Sequence, residues 1–441
     1  MQDFEQDFEQ DFEPDLTPRT IRDPLWKTIR LDPTAARIVD TAAFQRLRYI
    51  RQLGFAHLVY PGASHTRFDH ALGVYHLAVT ALRLLRERAA TPPEAFEGEE
   101  LIPYAALLHD IGHYAFSHAL EELGPERVPA GHEAVAERFF HSPELRDALA
   151  PLGLGAEDRI QALIRGEGEV ALRGLVSGSL DLDKMEYLKR DAYFCGVPYG
   201  EVDVDRLLQG LVLLPAPETG RWEVGVHEKA VAALESLLFA KYQMFRNVYW
   251  HHAVRAATVL YKRIVDEAVS GGLLDPEELV GPTDEQLLYE IERRAHEEDD
   301  SEIAERLASR WIPALRARRL PKRSLELTAA DLHGRRVEDW AVGDSPWKRA
   351  VEDELAAELG LQSGEVMIDF PSKRAMFQLD LLIERRSGAV QRLGAAGLPG
   401  LLDLPKVAEE LYGAARVLRV FTFERRDIPS ERVLDKITQP A

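Results

Sequence analysis

Nine of the 14 histidines (His57, His65, His70, His76, His109, His113, His118, His132 and His141) fall within the 85 residues from 57 to 141. Uniform scatter in a chain of ordinary composition would put roughly three there. The window contains Arg67-Phe68-Asp69-His70, His109-Asp110-Ile111-Gly112-His113, Phe116-Ser117-His118 and Gly131-His132-Glu133. Imidazoles and carboxylates at this density are the groups that ligate metals and carry protons. Single pieces of the pattern have ordinary explanations. About one His-Asp dipeptide is expected by chance from so many histidines. His70 shares a helical face with Val74, Leu77, Ala81 and Leu84, where a hydrogen-bonded core histidine is the common occupant.

A further acidic segment shifts the balance. Leu180-Asp181-Leu182-Asp183-Lys184-Met185-Glu186-Tyr187-Leu188-Lys189-Arg190-Asp191 reads as a helix with Asp183, Tyr187 and Asp191 on one face and Met185 and Leu188 toward the core. A salt-bridged surface helix accounts for its Lys and Glu residues, but poorly for so many acids in an apolar-flanked segment.

In chain order, His70, His109-Asp110 and Asp183 reproduce the H...HD...D pattern of the HD superfamily of metal-dependent phosphohydrolases. More specifically, the chain resembles the HD-domain dNTP triphosphohydrolases, some of which carry a sterile-alpha-motif domain. The matching strings are Phe44-Gln45-Arg46-Leu47-Arg48-Tyr49-Ile50, Gln52-Leu53, Pro61-Gly62-Ala63-Ser64-His65, Arg67-Phe68, His109-Asp110, Phe116-Ser117-His118 and Asp183-Lys184. The resemblance is strong from about residue 19 to 265 and loose beyond. With about twenty residues ahead of it, no sterile-alpha-motif domain is expected.

The resemblance implies that His70, His109, Asp110 and Asp183 hold one divalent metal. Such a nitrogen and oxygen set suits Fe, Mn, Ni or Zn, and Mg less well, although Mg can accompany a triphosphate. A metal of this kind lowers the pKa of a bound water toward ~7 and polarises a phosphoryl oxygen. The implied reaction is water attack on the α-phosphorus of a dNTP, releasing a deoxynucleoside and tripolyphosphate. His118 is the implied proton donor, oriented with the phosphates by His113 and His132, with Glu121 where relatives commonly have aspartate. Arg67, Lys184 and Tyr187 match phosphate contacts, the arginine through its planar fork and the lysine as a point charge. Asp191, Gln52 and Leu53 match deoxyribose contacts. Asn247, His251 and Arg255, read as one helix face at spacing four, fall where relatives carry arginine, histidine and tyrosine, so His251 is the one retained substrate contact. The missing tyrosine weakens the expectation that ribonucleotides are rejected.

Asp40, Gln45 and Arg48 match residues that read a guanine in regulated relatives, which implies a GTP or dNTP activator and a homo-oligomer, dimer or tetramer. The ordinary alternative is that Asp40 caps a helix beginning near Thr41 while Arg48 makes a salt bridge. Two other functions stay open: another HD-type nucleotidase or phosphodiesterase, or a catalytically silent nucleotide-binding regulator.

The elements that must position these groups are mainly helical. The expected fold is an HD-domain helical core over 19–270, a helical extension over 271–365 in which no chemistry is legible, and a small α+β region over 366–441. In the last, Val366 to Phe370, Leu379 to Ile383 and Val417 to Phe423 read as strands. Residues 1–18 read as a disordered acidic tail, since residues 2–13 are three copies of Gln-Asp-Phe-Glu and bury too little apolar surface to offset ordering. A net charge of -20 argues against non-specific nucleic-acid binding. The apolar runs are too short for a membrane span. A single cysteine, Cys195, excludes an internal disulfide and, with no secretory signal visible, points to the cytoplasm.

Overall fold

The computed structural model describes residues 18–88, 92–124, 127–129, 131–298, 301–332, 337, 346–371, 379–394, 397–398 and 403–438. The acidic repeat expected to be disordered lies outside them. Among the described residues the architecture is helical with three small sheets, built from strands β1 (Arg19–Asp23), β2 (Lys27–Leu31), β3 (Leu211–Pro215), β4 (Trp222–His227), β5 (Lys322–Leu327), β6 (Val366–Asp369), β7 (Leu381–Glu384), β8 (Val390–Leu393) and β9 (Leu418–Thr422). The β1-β2 hairpin stands alone, β3-β4-β7-β8 form a mixed sheet, and β5-β9-β6 an antiparallel one. Among the described residues no helix is long and apolar enough to cross a membrane.

The helix Arg67–Arg86 starts at a capping box, in which Thr66 and Asp69 satisfy each other's backbone donors. It buries His70, Val74, Leu77 and Ala81 against the helices Ile102–Leu108 and Leu182–Cys195. Asp181 caps the second of these by accepting from Lys184 N, and Met185 and Leu188 are fully buried, as their spacing requires. The three segments carrying the H, HD and D residues therefore share one core. The helix His252–Ser270 runs through the interior, with every residue from Val254 to Ala268 buried.

Two expectations need correction. The stretch 19–270 is mainly helical as read but also contains the β1-β2 hairpin and the β3-β4 pair, and the extension over 271–365 read as helical contains β5. Leu211 to Leu214 are all buried, and a short apolar run covered on both faces carries no alternation that separates strand from helix. The proposed helix face of Asn247, His251 and Arg255 does not exist. Phe245–Tyr249 widens into a π turn, Trp250 N donates to Phe245 O at 2.8 Å, and His251 is the N-cap of the next helix. The three C-terminal strands are present as β6, β7 and β9, but in two sheets: β7 pairs with β4, and β6 with β9.

Gly112 lets two site segments meet. A Cβ there would lie 2.1 Å from His132 O and 2.6 Å from Ala136 N, inside the helix His132–Phe140. Gly112→Ala should therefore lower unfolding free energy by about 1–3 kcal/mol in urea melts; a loss under about 0.5 kcal/mol would mean that this helix can retreat at little cost.

Candidate metal centre and active-site cavity

Four donors from three helical segments converge. His70 Nε2 lies 3.0 Å from Asp183 Oδ1, 3.3 Å from His109 Nε2 and 3.6 Å from Asp110 Oδ2. His109 Nε2 lies 3.4 Å from Asp110 Oδ1 and 3.8 Å from Asp183 Oδ1. Both imidazoles are oriented through their other nitrogen, His109 Nδ1 donating to Ala106 O at 2.8 Å and His70 Nδ1 to Glu186 Oε2 at 2.7 Å. That leaves both Nε2 atoms aimed at one point beside two carboxylates, a donor set that fits a divalent transition metal. The electrostatics agree. Burial opposes charge on His70, yet Asp183 and Glu186 push its imidazole up to about 10. Burial likewise opposes ionisation of Asp183, but hydrogen bonds from His109 and His70 hold its carboxyl well below the usual range. The pocket is built around positive charge.

Glu186 is the residue that sequence reading missed. Fully buried, it accepts from His70, from Trp26 Nε1 at 2.8 Å and from Arg190 Nε at 2.7 Å, and Arg190 reaches Asp23 Oδ2 at 3.0 Å. Burial raises its pKa, but Arg190 and His70 bring it down to about 2. Room for it exists because residue 73 is glycine: a Cβ there would sit 2.0 Å from Glu186 Oε1. Its spacing of three from Asp183 and four from Arg190 was available in the sequence as a signal.

Beside the four donors, His113, His118, His132 and Glu121 form a second group. Glu121 Oε2 is 2.8 Å from His118 Nδ1 and Oε1 is 2.5 Å from His132 Nδ1. Burial is overcome by these two imidazoles, which hold Glu121 well below the usual range. His113 stacks on His132 with ring centroids 4.0 Å apart, and its Nε2 lies 3.0 Å from Asp110 Oδ1. Burial, then Arg67 and His132, push the His113 pKa well down, so it is a neutral ring wedged between the two groups.

These groups open onto a cavity of about 350 Å³ whose wall includes Arg67, His109, Asp110, His118, His132, Asp183, Lys184, Tyr187, Asp191, Gln52 and Leu53. Arg67 Nη1 donates to Asp110 Oδ2 at 2.7 Å and Nε to Ser117 Oγ at 2.9 Å. Lys184 Nζ is held by Asp181 and by Gly178 O. Asp191 is committed on both oxygens, to His65 Nε2 at 2.8 Å and Tyr249 Oη at 2.6 Å. Gln52 Oε1 and Tyr187 Oη are buried without a hydrogen-bond partner among the described residues. Buried polar atoms in a cavity wall rarely stay unpaired, so both mark a place for a polar ligand. Tyr249, Trp250 and Val254 also line the cavity, and nothing in their spacing singles them out.

Four expected site residues lie elsewhere. His251 is not in the cavity wall; its Nδ1 accepts from Ala253 N at 3.3 Å, and burial followed by His252 lowers its pKa to about 4. Asp40 is paired with Arg19 through two hydrogen bonds of 2.7 and 2.8 Å, and the cap of the helix Ala42–Gln45 is Thr41, not Asp40. Gln45 donates to Val39 O. Among the described residues Arg48 makes no salt bridge; its Nε donates to Gln45 Oε1 at 2.7 Å, and its guanidinium lies 3.5 Å over the Phe68 ring.

Residues 67–183 match the family model described as HD domain, and residues 202–396 that described as HD associated region. The matched stretch 67–183 contains His70, His109, Asp110 and Asp183, so the chain is similar to HD-domain proteins over the site. It is 35% identical to the protein MJ1154 of Methanocaldococcus jannaschii over 60% of its own length and 53% of that protein's. It is 31% identical to deoxynucleoside triphosphate triphosphohydrolase SAMHD1 of Bos taurus over 53% of this chain and 45% of that one. The chain thus spans about half the length of the curated relatives it matches. A solved structure of a hypothetical protein from Aquifex aeolicus shares the fold with a TM-score of 0.66 and 26% identity, over 96% of this chain and 99% of that one.

If the four donors hold the ion, Asp183→Ala should leave purified protein without bound metal by elemental analysis. Glu186→Gln should keep full stoichiometry at saturation but weaken affinity about 10–100-fold in a chelator titration. Unchanged affinity in both variants would place the metal elsewhere.

Proposed function

We propose that this protein is an HD-domain dNTP triphosphohydrolase, converting a dNTP and water to a deoxynucleoside and tripolyphosphate. One observation carries the reading: the four-donor cluster opens onto the same cavity as the cationic groups Arg67 and Lys184 and the unpaired Tyr187 hydroxyl. A divalent metal bound by His70, His109, Asp110 and Asp183 supplies Lewis acidity and a water of lowered pKa. The remaining work falls to side chains. Arg67, oriented by Asp110 and Ser117, keeps Nη2 for a phosphate oxygen, and Lys184 adds a compact positive charge. Tyr187 Oη donates to a further oxygen. His118, held through Nδ1 by Glu121, delivers a proton to the departing 5′ oxygen while His132 shares the same carboxylate. The water oxygen ends on the tripolyphosphate as the bond between phosphorus and the 5′ oxygen breaks. Gln52 Oε1 and the Asp191 network with His65 and Tyr249 suit a sugar hydroxyl.

Incubation of metal-loaded protein with each dNTP in water labelled with heavy oxygen tests this reading. Label is expected on tripolyphosphate beside an unlabelled deoxynucleoside. A nucleoside monophosphate would instead make the protein a different HD-type nucleotidase or phosphodiesterase, and absence of any product a nucleotide-binding regulator.

The activator reading of Asp40, Gln45 and Arg48 draws on their surface position beside Tyr49, which is 67% exposed. A guanine there must displace Arg19 from Asp40. GTP is expected to raise both turnover and sedimenting mass, and Asp40→Ala to remove both effects; equal rates and mass with and without GTP would reduce these residues to structural ones.

A further inference from the structure

Two consecutive non-glycine residues in the wall of the cavity, Phe116 and Ser117, have φ of 56° and 60°. Left-handed backbone costs a residue with a Cβ of order 1 kcal/mol, and persists only where surroundings impose it. The imposing group comes from far along the chain. Asp284, 1% exposed in the first turn of the helix Asp284–Glu297, accepts from Phe116 N through Oδ1 at 2.6 Å. Its Oδ2 accepts from Arg51 N at 3.0 Å. One carboxylate thus ties two backbone segments that are 65 residues apart, and each enters the cavity immediately afterwards: Gln52 and Leu53 from one, Ser117 and His118 from the other. Other contacts close the ring. Ser117 Oγ donates to Arg51 O at 2.7 Å and accepts from Arg67 Nε, and Phe55 stacks on Phe116 with centroids 4.2 Å apart. Gly54 is required here, with φ of +50° and a Cβ position only 3.1 Å from Phe116 O.

We propose that Asp284 is a positioning residue for the hydrolytic reaction, its ionised carboxylate clamping the Arg51 and Phe116 amides so that Gln52, Arg67 and His118 reach the cavity in register. The proposal rests on the reading of the cavity given above. It places a determinant of catalysis in a helix outside residues 67–183 that touches no reacting atom.

Only the ionised carboxylate accepts on both oxygens without one of them becoming a donor. Burial pushes the Asp284 carboxyl up to about 6, against the pull of the Phe116 and Arg51 amides and the Arg51 side chain. The charged and titratable groups facing it are Arg51, Glu285, Arg46 and Tyr261, with His57 linked through Arg51 and Glu285. The sign is fixed by this direction. The clamp is complete above about 6 and is lost as the pH falls through that value.

The test compares wild type with Asp284→Asn, which keeps shape but offers one acceptor instead of two. Metal content should be equal, because no ligand is touched. At neutral pH kcat should fall about tenfold, more than KM rises, and the acid limb of wild-type kcat near pH 6 should vanish from the variant's profile. Amide exchange should accelerate in peptides spanning residues 51–55 and 114–118 and not in the helix Arg67–Arg86. A purely architectural role would shift unfolding but leave the pH profile unchanged. An active wild type matched by the variant in kcat, profile and exchange overturns the inference alone. A wild type inactive on every nucleotide overturns the reading of the cavity and this inference with it. Should the variant not fold, wild-type exchange corrected for intrinsic rates is measured on either side of pH 6, where constant protection of both peptides overturns the clamp.

Discussion

A carboxylate with no access to water, Glu186, must remain charged for the rest of this site to stand. An unpaired buried charge would cost several kcal/mol, and here three donors, His70, Trp26 and Arg190, take both of its oxygens. The consequences spread outward. Arg190 needs Asp23, which fixes the β1-β2 turn by also accepting from Leu25 N and Trp26 N at 2.8 Å each. His70 is turned so that Nε2 points at Asp110 and Asp183. Gly73 is required for the helices to meet at all. Asp23 and Trp26 in the β1-β2 hairpin therefore support the candidate metal donors although neither lines the cavity.

Ionic pairing inside apolar packing recurs on the helix His252–Ser270. Arg255 spans Glu122 and Asp369, Lys262 adds a bond to Glu122 at 3.0 Å, and Arg263 meets Glu352. Such pairs contribute little net stability relative to apolar substitutes, and leaving one partner alone is costly. Their effect is to fix register. Glu122 directly follows Glu121, which pairs with His118 and His132, so the internal helix and strand β6 hold that histidine group in place from behind. The Asp284 clamp does the same from a second direction, so segments outside the HD-matching stretch decide the shape of its cavity.

The sequence determined a good deal by itself. The density of histidine and acid in residues 57–141, the helical spacing of Asp183, Tyr187 and Asp191, and the H...HD...D order located the donors, because a helix turns neighbours at three and four onto one face whatever surrounds it. The mainly helical fold followed from periodicity in the same way, and the C-terminal strands from short apolar runs rich in branched and aromatic residues. Tertiary structure alone decided the rest. Glu186 looked like a solvated helix acid until His70 and Trp26 came from two other segments to join Arg190, one turn along the same helix, in pairing with it. Leu211 to Leu214 became a strand because β4 supplied hydrogen bonds while Leu211 and Leu213 packed into the main core and Val212 and Leu214 into a separate apolar cluster. His251 stands outside the cavity wall where one helix ends in a π turn and the next starts with His251 as its N-cap, a break that no spacing count can register. Asp284 acquired a role only when chain closure brought Arg51 and Phe116 to its two oxygens. Local spacing is a property of the backbone and survives in one dimension; pairing across long separations depends on which surfaces the core forces together, and that exists only in the folded chain.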